Sequence, residues 1–97
     1  MTYQEIINGK KPVLVDFSAT WCGPCKAMAP VLKEVAGKVG DDAKIVKIDV
    51  DKNQKLATKI GVKGVPTFIL YKEGKVLWRD SGMQSANSLV KLINDAK

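Results

Sequence analysis

Four short stretches of the chain carry apolar residues in the pattern of β-strands. Residues 12–18 (P-V-L-V-D-F-S) form a nearly continuous apolar run, which is typical of a strand buried on both faces of a sheet. Residues 44–50 (K-I-V-K-I-D-V) and 67–71 (T-F-I-L-Y) are two further runs. Residues 76–81 (V-L-W-R-D-S) follow after the turn 72–75, whose glycine suits a left-handed position. The pattern therefore predicts four strands.

Apolar residues at helical spacing predict four helices around these strands. Thr2 and Glu5 have the spacing of a capping box ahead of a short helix at 3–8. Asn53 and Ser85 are expected to cap the third and fourth helices. The apolar positions of the last three helices are Met28, Val31, Leu32, Val35, Ala36 and Val39, then Leu56, Ala57 and Ile60, then Leu89, Val90, Leu92, Ile93 and Ala96.

The order of these elements predicts an α/β fold. Helices separate the first three strands, which implies parallel crossover connections, and the tight turn adds one antiparallel hairpin. We therefore expect a mixed sheet of four strands with helices on its faces. A chain of 97 residues buries only one core, so residues 1–97 are expected to form a single domain.

The charge of the chain does not indicate a nucleic-acid-binding protein. The net charge is +6, but Arg79 is the only arginine among the 16 basic residues, and no basic run is longer than Lys10–Lys11. Base readout and bidentate phosphate contacts depend on arginine, so we expect solvated lysines that keep the protein soluble. No apolar run has the length of a signal peptide or a membrane span, and a cytoplasmic protein without membrane attachment is expected.

Cys22 and Cys25 are the only cysteines, and the chain contains no histidine. A disulfide across two intervening residues constrains the unfolded chain very little, so a structural staple is disfavoured. A structural zinc site needs four ligands, and one chain supplies half of them; a zinc ion or iron–sulfur cluster shared by two chains stays an alternative. Without histidine the usual Cys-His nucleophile of thiol hydrolases is excluded. Redox cycling of the two thiols is therefore the favoured interpretation.

The positions of the cysteines also favour redox chemistry. Cys22 follows a predicted strand and opens a helix, where unpaired N–H groups and the helix dipole favour thiolate over thiol. Pro24 suits the first helical turn, since its missing N–H costs nothing there. Cys25 lies three residues on, one turn inward on the same face. We therefore expect Cys22 to be the exposed attacking thiol and Cys25 the thiol that closes the disulfide.

Asp16 is an unusual residue for the interior of an apolar strand. One interpretation is a carboxylate at a strand edge or in contact with water. The other is a desolvated acid with a raised pKa that accepts the proton of Cys25 when this thiol attacks. Lys47, on the neighbouring predicted strand and expected to be buried, could modulate the carboxyl group.

The stretch V-D-F-S-A-T-W-C-G-P-C-K at 15–26, followed by Pro30 and by G-V-P-T-F at 64–68, closely resembles the thioredoxin family. The resemblance covers nearly the whole chain in the family's order. It implies that Cys22 is the nucleophile and Cys25 the resolving thiol. It also implies that Asp16 assists proton transfer with the help of Lys47. The proline that matches Pro66 is expected to be cis and to face the dithiol.

The resemblance further implies a substrate-binding rim. Val65 is expected to pair its backbone with an extended substrate segment, as the equivalent residue does in the family. The other rim residues would be Trp21, Gly23, Pro24, Pro66, Gly82 and Met83.

Three departures from the family's pattern affect these expectations. Ser18 stands where many relatives carry an aromatic residue, and Ser81 where an aliphatic rim residue is common. The chain also begins too late for the family's customary first strand. We therefore expect the strand order 44–50, 12–18, 67–71, 76–81, with 44–50 exposed at one edge and protected by its charged side chains.

The function implied by the resemblance is that of a protein-disulfide reductase. Its partners would be disulfide-containing client proteins and a thioredoxin reductase, and the protein is expected to be a monomer without a cofactor. Two alternatives are a thioredoxin-fold binding subunit whose dithiol is incidental and a dimeric metal- or cluster-binding protein.

Overall fold

Four strands and four α-helices follow one another in the computed structural model, which describes residues 1–97. A short 3-10 turn at Gly40–Asp42 joins the second helix to the second strand. The elements are α1 (Tyr3–Ile7), β1 (Val13–Ser18), α2 (Gly23–Val39), β2 (Lys44–Asp49), α3 (Gln54–Ile60), β3 (Thr67–Lys72), β4 (Lys75–Ser81) and α4 (Ala86–Ala96).

The strands form one mixed sheet in the order β2-β1-β3-β4, which confirms the expected order and places β2 at an edge. Strands β1 and β2 are parallel, with Asp16 opposite Lys47 and Ser18 opposite Asp49. Strand β3 lies antiparallel to β1 on its other side, and β4 completes a hairpin with β3. The element that precedes β1 within residues 1–97 is the helix α1.

The expectation of parallel crossovers was correct for β1–α2–β2 and wrong for β2–α3–β3, since β3 runs antiparallel to β1. The difference follows from helix length. Helix α2 has 17 residues and spans about 25 Å, enough to return the chain to the starting end of the sheet. Helix α3 has only 7 residues, or about 10 Å, whereas a six-residue strand spans about 20 Å. The chain therefore enters β3 at the end where β2 finished.

The sheet is covered on both faces. Strand side chains alternate between the faces, so Leu14 and Asp16 point to one side and Val13, Val15 and Phe17 to the other. The two core clusters separate in the same way. The first, which includes residues of α2 and α4, contains Leu14, Met28, Val35, Val39, Ala43, Phe68, Leu70, Leu89 and Ile93; the second, which includes a residue of α1, contains Ile7, Val13, Val15, Phe17, Ile69 and Tyr71. Asp16 therefore lies under α2.

Polar groups at the helix ends agree with most of the sequence-based expectations. Thr2 and Glu5 form the expected capping box, and the Ser85 side chain accepts a hydrogen bond from the first turn of α4. Asn53 occupies the N-cap position of α3, but its side chain makes no capping bond. Its Nδ2 instead donates to the backbone carbonyl of Asp49 at 2.9 Å, so the expected side-chain cap was wrong.

The C-terminal end of α3 is held by a contact that the sequence did not indicate. Arg79 on β4 donates through Nη1 to the carbonyl of Ile60 (2.7 Å) and through Nη2 to that of Gly61 (2.9 Å). Both carbonyls belong to the C-terminal end of α3, where orphan acceptors need partners and a cation is favourable. The only arginine of the chain thus fixes α3 to the sheet. None of the helices is long and apolar enough to cross a membrane.

Candidate active site

Cys22 and Cys25 lie where β1 passes into α2. Cys22 is the N-cap residue of α2, and Pro24 lies in the first helical turn, as expected. The two cysteines form a disulfide with their Cα atoms 5.2 Å apart. The backbone N–H of Cys25 donates to Cys22 Sγ at 3.2 Å, so the sulfur occupies the place of a capping oxygen. This arrangement directs an N–H group and the positive end of α2 toward Cys22 Sγ.

Cys22 is less accessible than the sequence indicated. Only 5% of Cys22 and 2% of Cys25 are exposed, so the expectation of an exposed attacking thiol was wrong for the disulfide form. The reason is local packing: both cysteines cluster with Ala19 and are covered by Val50 and Val65. The carbonyl oxygen of Val65 lies 3.7 Å from Cys22 Sγ. Cys22 remains the more accessible of the two cysteines.

Asp16 is a buried and unpaired carboxyl group. It is 1% exposed and lies on β1, an internal strand, which excludes the strand-edge interpretation. Neither carboxyl oxygen accepts a hydrogen bond from a protein group. Burial raises the pKa of Asp16 from 3.8 to about 6, and the positive charge of Lys47 opposes this rise. The expected burial and raised pKa are both present.

Lys47 lies directly opposite Asp16 in the parallel register, but it is exposed, so its expected burial was wrong. The edge position of β2 explains the difference. A lysine at a sheet edge can lay its aliphatic stem along the protein while its ammonium group stays in water, which avoids the cost of desolvation. Lys47 therefore affects Asp16 through its charge without a hydrogen bond to it.

The structure places the predicted rim residues on the loop after β1, at the start of α2, on the loop before β3 and on the loop after β4. Trp21 is 68% and Met83 is 55% exposed, whereas Val65 is half-buried. The Val65–Pro66 peptide bond is cis, as expected, and Pro66 itself is buried. The N–H of Gly82 donates to the carbonyl of Pro66 at 2.8 Å, which brings the start of the β4–α4 loop beside the cis-proline loop. Gly23 and Pro24 are exposed at the start of α2.

Asp51 is a site residue that the sequence analysis missed. Its Oδ2 accepts a hydrogen bond from Trp21 Nε1 at 2.8 Å and so fixes the orientation of the indole ring. Asp51 follows β2 and Trp21 follows β1, and the carboxyl ends of parallel strands meet at one edge of a sheet. The parallel β1–α2–β2 unit could therefore have indicated this contact. A cleft of about 160 Å³ adjoins the ring, lined by Trp21, Val50, Val62, Lys63, Gly64 and Val65.

The mixed sheet, the bonded cysteine pair at the start of α2 and the facing cis-proline loop together define the thioredoxin fold. The sequence profile of the Thioredoxin family matches residues 1–95. The structure of a mutant thioredoxin from Halobacterium salinarum NRC-1 is similar, with a TM-score of 0.86 and 40% identity, over 96% of this chain and 80% of that chain. The chain belongs to the thioredoxin family.

Curated relatives agree with this assignment. The chain is 50% identical over 82 residues to thioredoxin of Bacillus subtilis, a match that covers 84% of this chain and 79% of that protein. It is 45% identical over 96 residues to chloroplastic thioredoxin Y of Oryza sativa subsp. japonica, a match that covers 98% of this chain and 57% of the relative. The chain thus spans little more than half the length of some curated relatives.

Proposed function

We propose that this chain reduces disulfide bonds in client proteins through reversible oxidation of Cys22 and Cys25. The observation that carries the proposal is the position of the bonded pair, with Cys22 as the N-cap of α2 and the Cys25 N–H 3.2 Å from its sulfur. Thiolate is the reactive form of cysteine, and a helix N-terminus favours it. Membership of the thioredoxin family supports the same chemistry.

The proposed reaction has two exchange steps. In the first, the Cys22 thiolate attacks one sulfur of the client disulfide, the client's S–S bond breaks, and the second client sulfur leaves as a thiolate that takes a proton from solvent. In the second, Cys25 attacks Cys22 Sγ in the mixed disulfide. The Cys22–Cys25 bond forms and the first client sulfur leaves. The client gains two electrons, and the dithiol becomes the disulfide seen in the structure.

Asp16 is proposed to accept the proton that Cys25 must lose before the second step. A base acts best when its pKa lies near the working pH, and burial has brought that of Asp16 to about 6. Because Lys47 favours the charged carboxylate, it is proposed to keep this pKa from rising further.

The client is proposed to lie across the rim as an extended segment. The Val65 N–H donates no hydrogen bond within the chain, so it is available to pair with a client backbone. Trp21 and Met83 offer exposed apolar surface, and Gly23 and Pro24 follow Cys22 directly in the chain and are exposed. Pro66, Gly82 and Asp51 are proposed to hold these groups in place.

The proposed partners are disulfide-containing client proteins and a thioredoxin reductase that returns the disulfide to the dithiol. We further propose a monomer that acts in the cytoplasm or in another reducing compartment. Three of the curated relatives are named as chloroplastic proteins.

Turbidimetric reduction of insulin tests the function. We expect the chain to accelerate insulin precipitation by dithiothreitol, and the double variant Cys22→Ser/Cys25→Ser to give only the rate of dithiothreitol alone. A wild-type rate equal to that of the double variant would refute the proposal and favour a binding subunit with an incidental disulfide.

A further inference from the structure

The peptide group between Gly64 and Val65 carries the N–H that is proposed to pair with the client. Residues 63–65 lie between α3 and β3 and belong to neither element. None of their three N–H groups donates a hydrogen bond within the chain. Gly64 is exposed, and a Cβ atom added to it would meet no atom within 4 Å. Packing around Gly64 therefore does not fix the orientation of this peptide.

The backbone preferences of the two residues also leave the orientation open. Glycine restricts its own dihedral angles very little. Val65 precedes a proline and stays in the extended region, but this region still allows φ values from about −60° to −160°. A change of φ within that range rotates the Gly64–Val65 peptide and changes the direction of its N–H bond. A hydrogen bond to the peptide is therefore needed to hold it.

The side chain of Thr67 supplies this hydrogen bond. Its Oγ1 donates to the carbonyl oxygen of Gly64. A second contact of the segment joins Cys22 Sγ to the carbonyl oxygen of Val65 at 3.7 Å, but a sulfur in a disulfide has no proton to donate. The Thr67 hydroxyl is therefore the donor that holds this segment in the disulfide form.

A trans peptide fixes the direction of its N–H relative to its carbonyl group. The Gly64–Val65 bond is trans, since the cis bond of the chain is Val65–Pro66. In a trans peptide the C=O and N–H bonds lie in one plane and point in opposite directions. Thr67 is 1% exposed and holds the Gly64 oxygen on its own side of the peptide. The Val65 N–H therefore points away from the buried Thr67 side chain.

Ser81 on β4 orients the Thr67 hydroxyl. The two residues are opposite each other in the β3–β4 register, and their hydroxyl oxygens are 3.1 Å apart. A hydroxyl group has one proton to donate and two lone pairs that accept. Thr67 gives its proton to Gly64, so the Ser81 hydroxyl is the donor to Thr67 Oγ1. A hydrogen-bond chain thus runs from Ser81 through Thr67 to the Gly64 carbonyl.

We propose that Thr67 and Ser81 are positioning residues that orient the Gly64–Val65 peptide, so that the Val65 N–H faces the client backbone. Their hydroxyl groups bond to each other and to Gly64 and to neither cysteine. Their loss should therefore weaken client binding and leave the exchange chemistry intact. The inference rests on the proposed function for the pairing with a client, but the orientation of the N–H can be measured without one.

The first measurement is the ¹H–¹⁵N residual dipolar coupling of Val65 in the aligned, oxidised protein, which depends on the direction and mobility of the N–H bond. Thr67→Val removes the hydroxyl at nearly constant volume, and Thr67→Ser keeps it. Thr58→Val makes the same change at an exposed position of α3 and is the matched control. We expect only Thr67→Val to change the Val65 coupling relative to the couplings of β1. A wild-type coupling in Thr67→Val would overturn the inference.

The second measurement separates client binding from chemistry. Reduced protein is mixed with an excess of a fluorogenic disulfide peptide, and the single-turnover rate is followed against peptide concentration. We expect the half-saturating concentration to rise about three- to tenfold in Thr67→Val, as for the loss of one hydrogen bond, with the limiting rate unchanged. Thr67→Ser should restore the wild-type value. A lower limiting rate at an unchanged half-saturating concentration would overturn the inference, because the defect would then lie in the exchange chemistry.

Ser81→Ala keeps the test decisive if Thr67→Val does not fold, because Ser81 is exposed. We expect it to change the Val65 coupling and the half-saturating concentration in the same direction as Thr67→Val but by less, since Thr67 keeps its own proton. Wild-type values of both quantities in Ser81→Ala would overturn the proposed hydrogen-bond chain. If the wild-type protein did not reduce the peptide, the proposed function would be refuted, while the dipolar couplings would still decide whether the two hydroxyl groups orient the peptide.

Discussion

Replacement of Asp16 by asparagine should stabilise the protein at neutral pH and leave it unchanged in acid. The carboxyl group is 1% exposed and has no protein hydrogen-bond donor, so ionisation in the folded state is unfavourable. The rise of its pKa from 3.8 to about 6 corresponds to about 3 kcal/mol, at about 1.4 kcal/mol per pKa unit. Because the protonated carboxyl group and the asparagine amide would both be buried without protein partners, their costs largely cancel, and we expect a net gain of about 2–3 kcal/mol at neutral pH.

The pH dependence follows from the direction of the pKa change. Below about pH 4 Asp16 is protonated in both the folded and the unfolded state, and the charge costs nothing. Between pH 4 and 6 the unfolded state ionises first, so wild-type stability falls as the pH rises. Above the folded pKa of about 6 both states are ionised, and the full destabilisation remains. The difference between the variant and the wild type should therefore appear between pH 4 and 6 and then level off.

Urea unfolding of the oxidised proteins at pH 4, 5, 6, 7 and 8 measures this difference. Asp41→Asn is the matched control, because Asp41 is an exposed carboxyl group outside the site. The control should show no such change with pH. A constant difference between Asp16→Asn and the wild type from pH 4 to 8 would show that the folded and unfolded pKa values are the same, and the reasoning would be refuted.

The remaining predictions concern the dithiol and the sheet edge. Cys22→Ser should abolish client reduction, whereas Cys25→Ser should accumulate mixed disulfides through Cys22, which mass spectrometry detects. If Cys25 were alkylated faster than Cys22 in the reduced protein, Cys25 and not Cys22 would be the attacking thiol. At the β2 edge, the amide of Lys44 donates to the carbonyl of Pro12, just before β1, and the amide of Val50 donates to that of Ser18. The amides of residues 45, 47 and 49 therefore point away from β1 in the alternating ladder. Hydrogen exchange should find these three unprotected beside protected residues 46 and 48, and equal protection of all five would contradict an open edge.

The individual strands and helices could be predicted because each element carries its own local signal, whereas the order of the strands in the sheet came from the resemblance to the thioredoxin family. The apolar run of 12–18, the helical spacing after Lys26 and the two-residue turn at Glu73–Gly74 each specify one element without reference to the others. The turn shows this most clearly, since Glu73 has a φ of 54° and Gly74 a φ of 81°. Positive φ at both positions matches the twist of a two-residue hairpin.

The direction of β3 and the surroundings of Asp16 could not be predicted in the same way. The direction depends on whether α3 is long enough to return the chain, and the boundaries of a short helix are poorly defined by sequence. The exposure of Lys47 depends on β2 being an edge strand, and the contact of Asp51 with Trp21 joins residues 30 positions apart. A pocket of about 520 Å³ beside Cys25 is formed by residues of β1, α2 and β2 together, and no single element carries a signal for it.

Asp16 connects the stability of this fold with its proposed chemistry. Domains of this size have net stabilities of about 5–15 kcal/mol, so a buried carboxylate that costs about 3 kcal/mol removes a substantial part of it. A neutral side chain of similar shape would avoid that cost, and buried charges are often replaced without loss of the fold. The fold therefore does not need the charge. The proposed second exchange step does need a base, because the Cys25 thiol must lose its proton before it can attack Cys22 Sγ. A variant that gains stability by losing the carboxyl group should for the same reason be slower in this step.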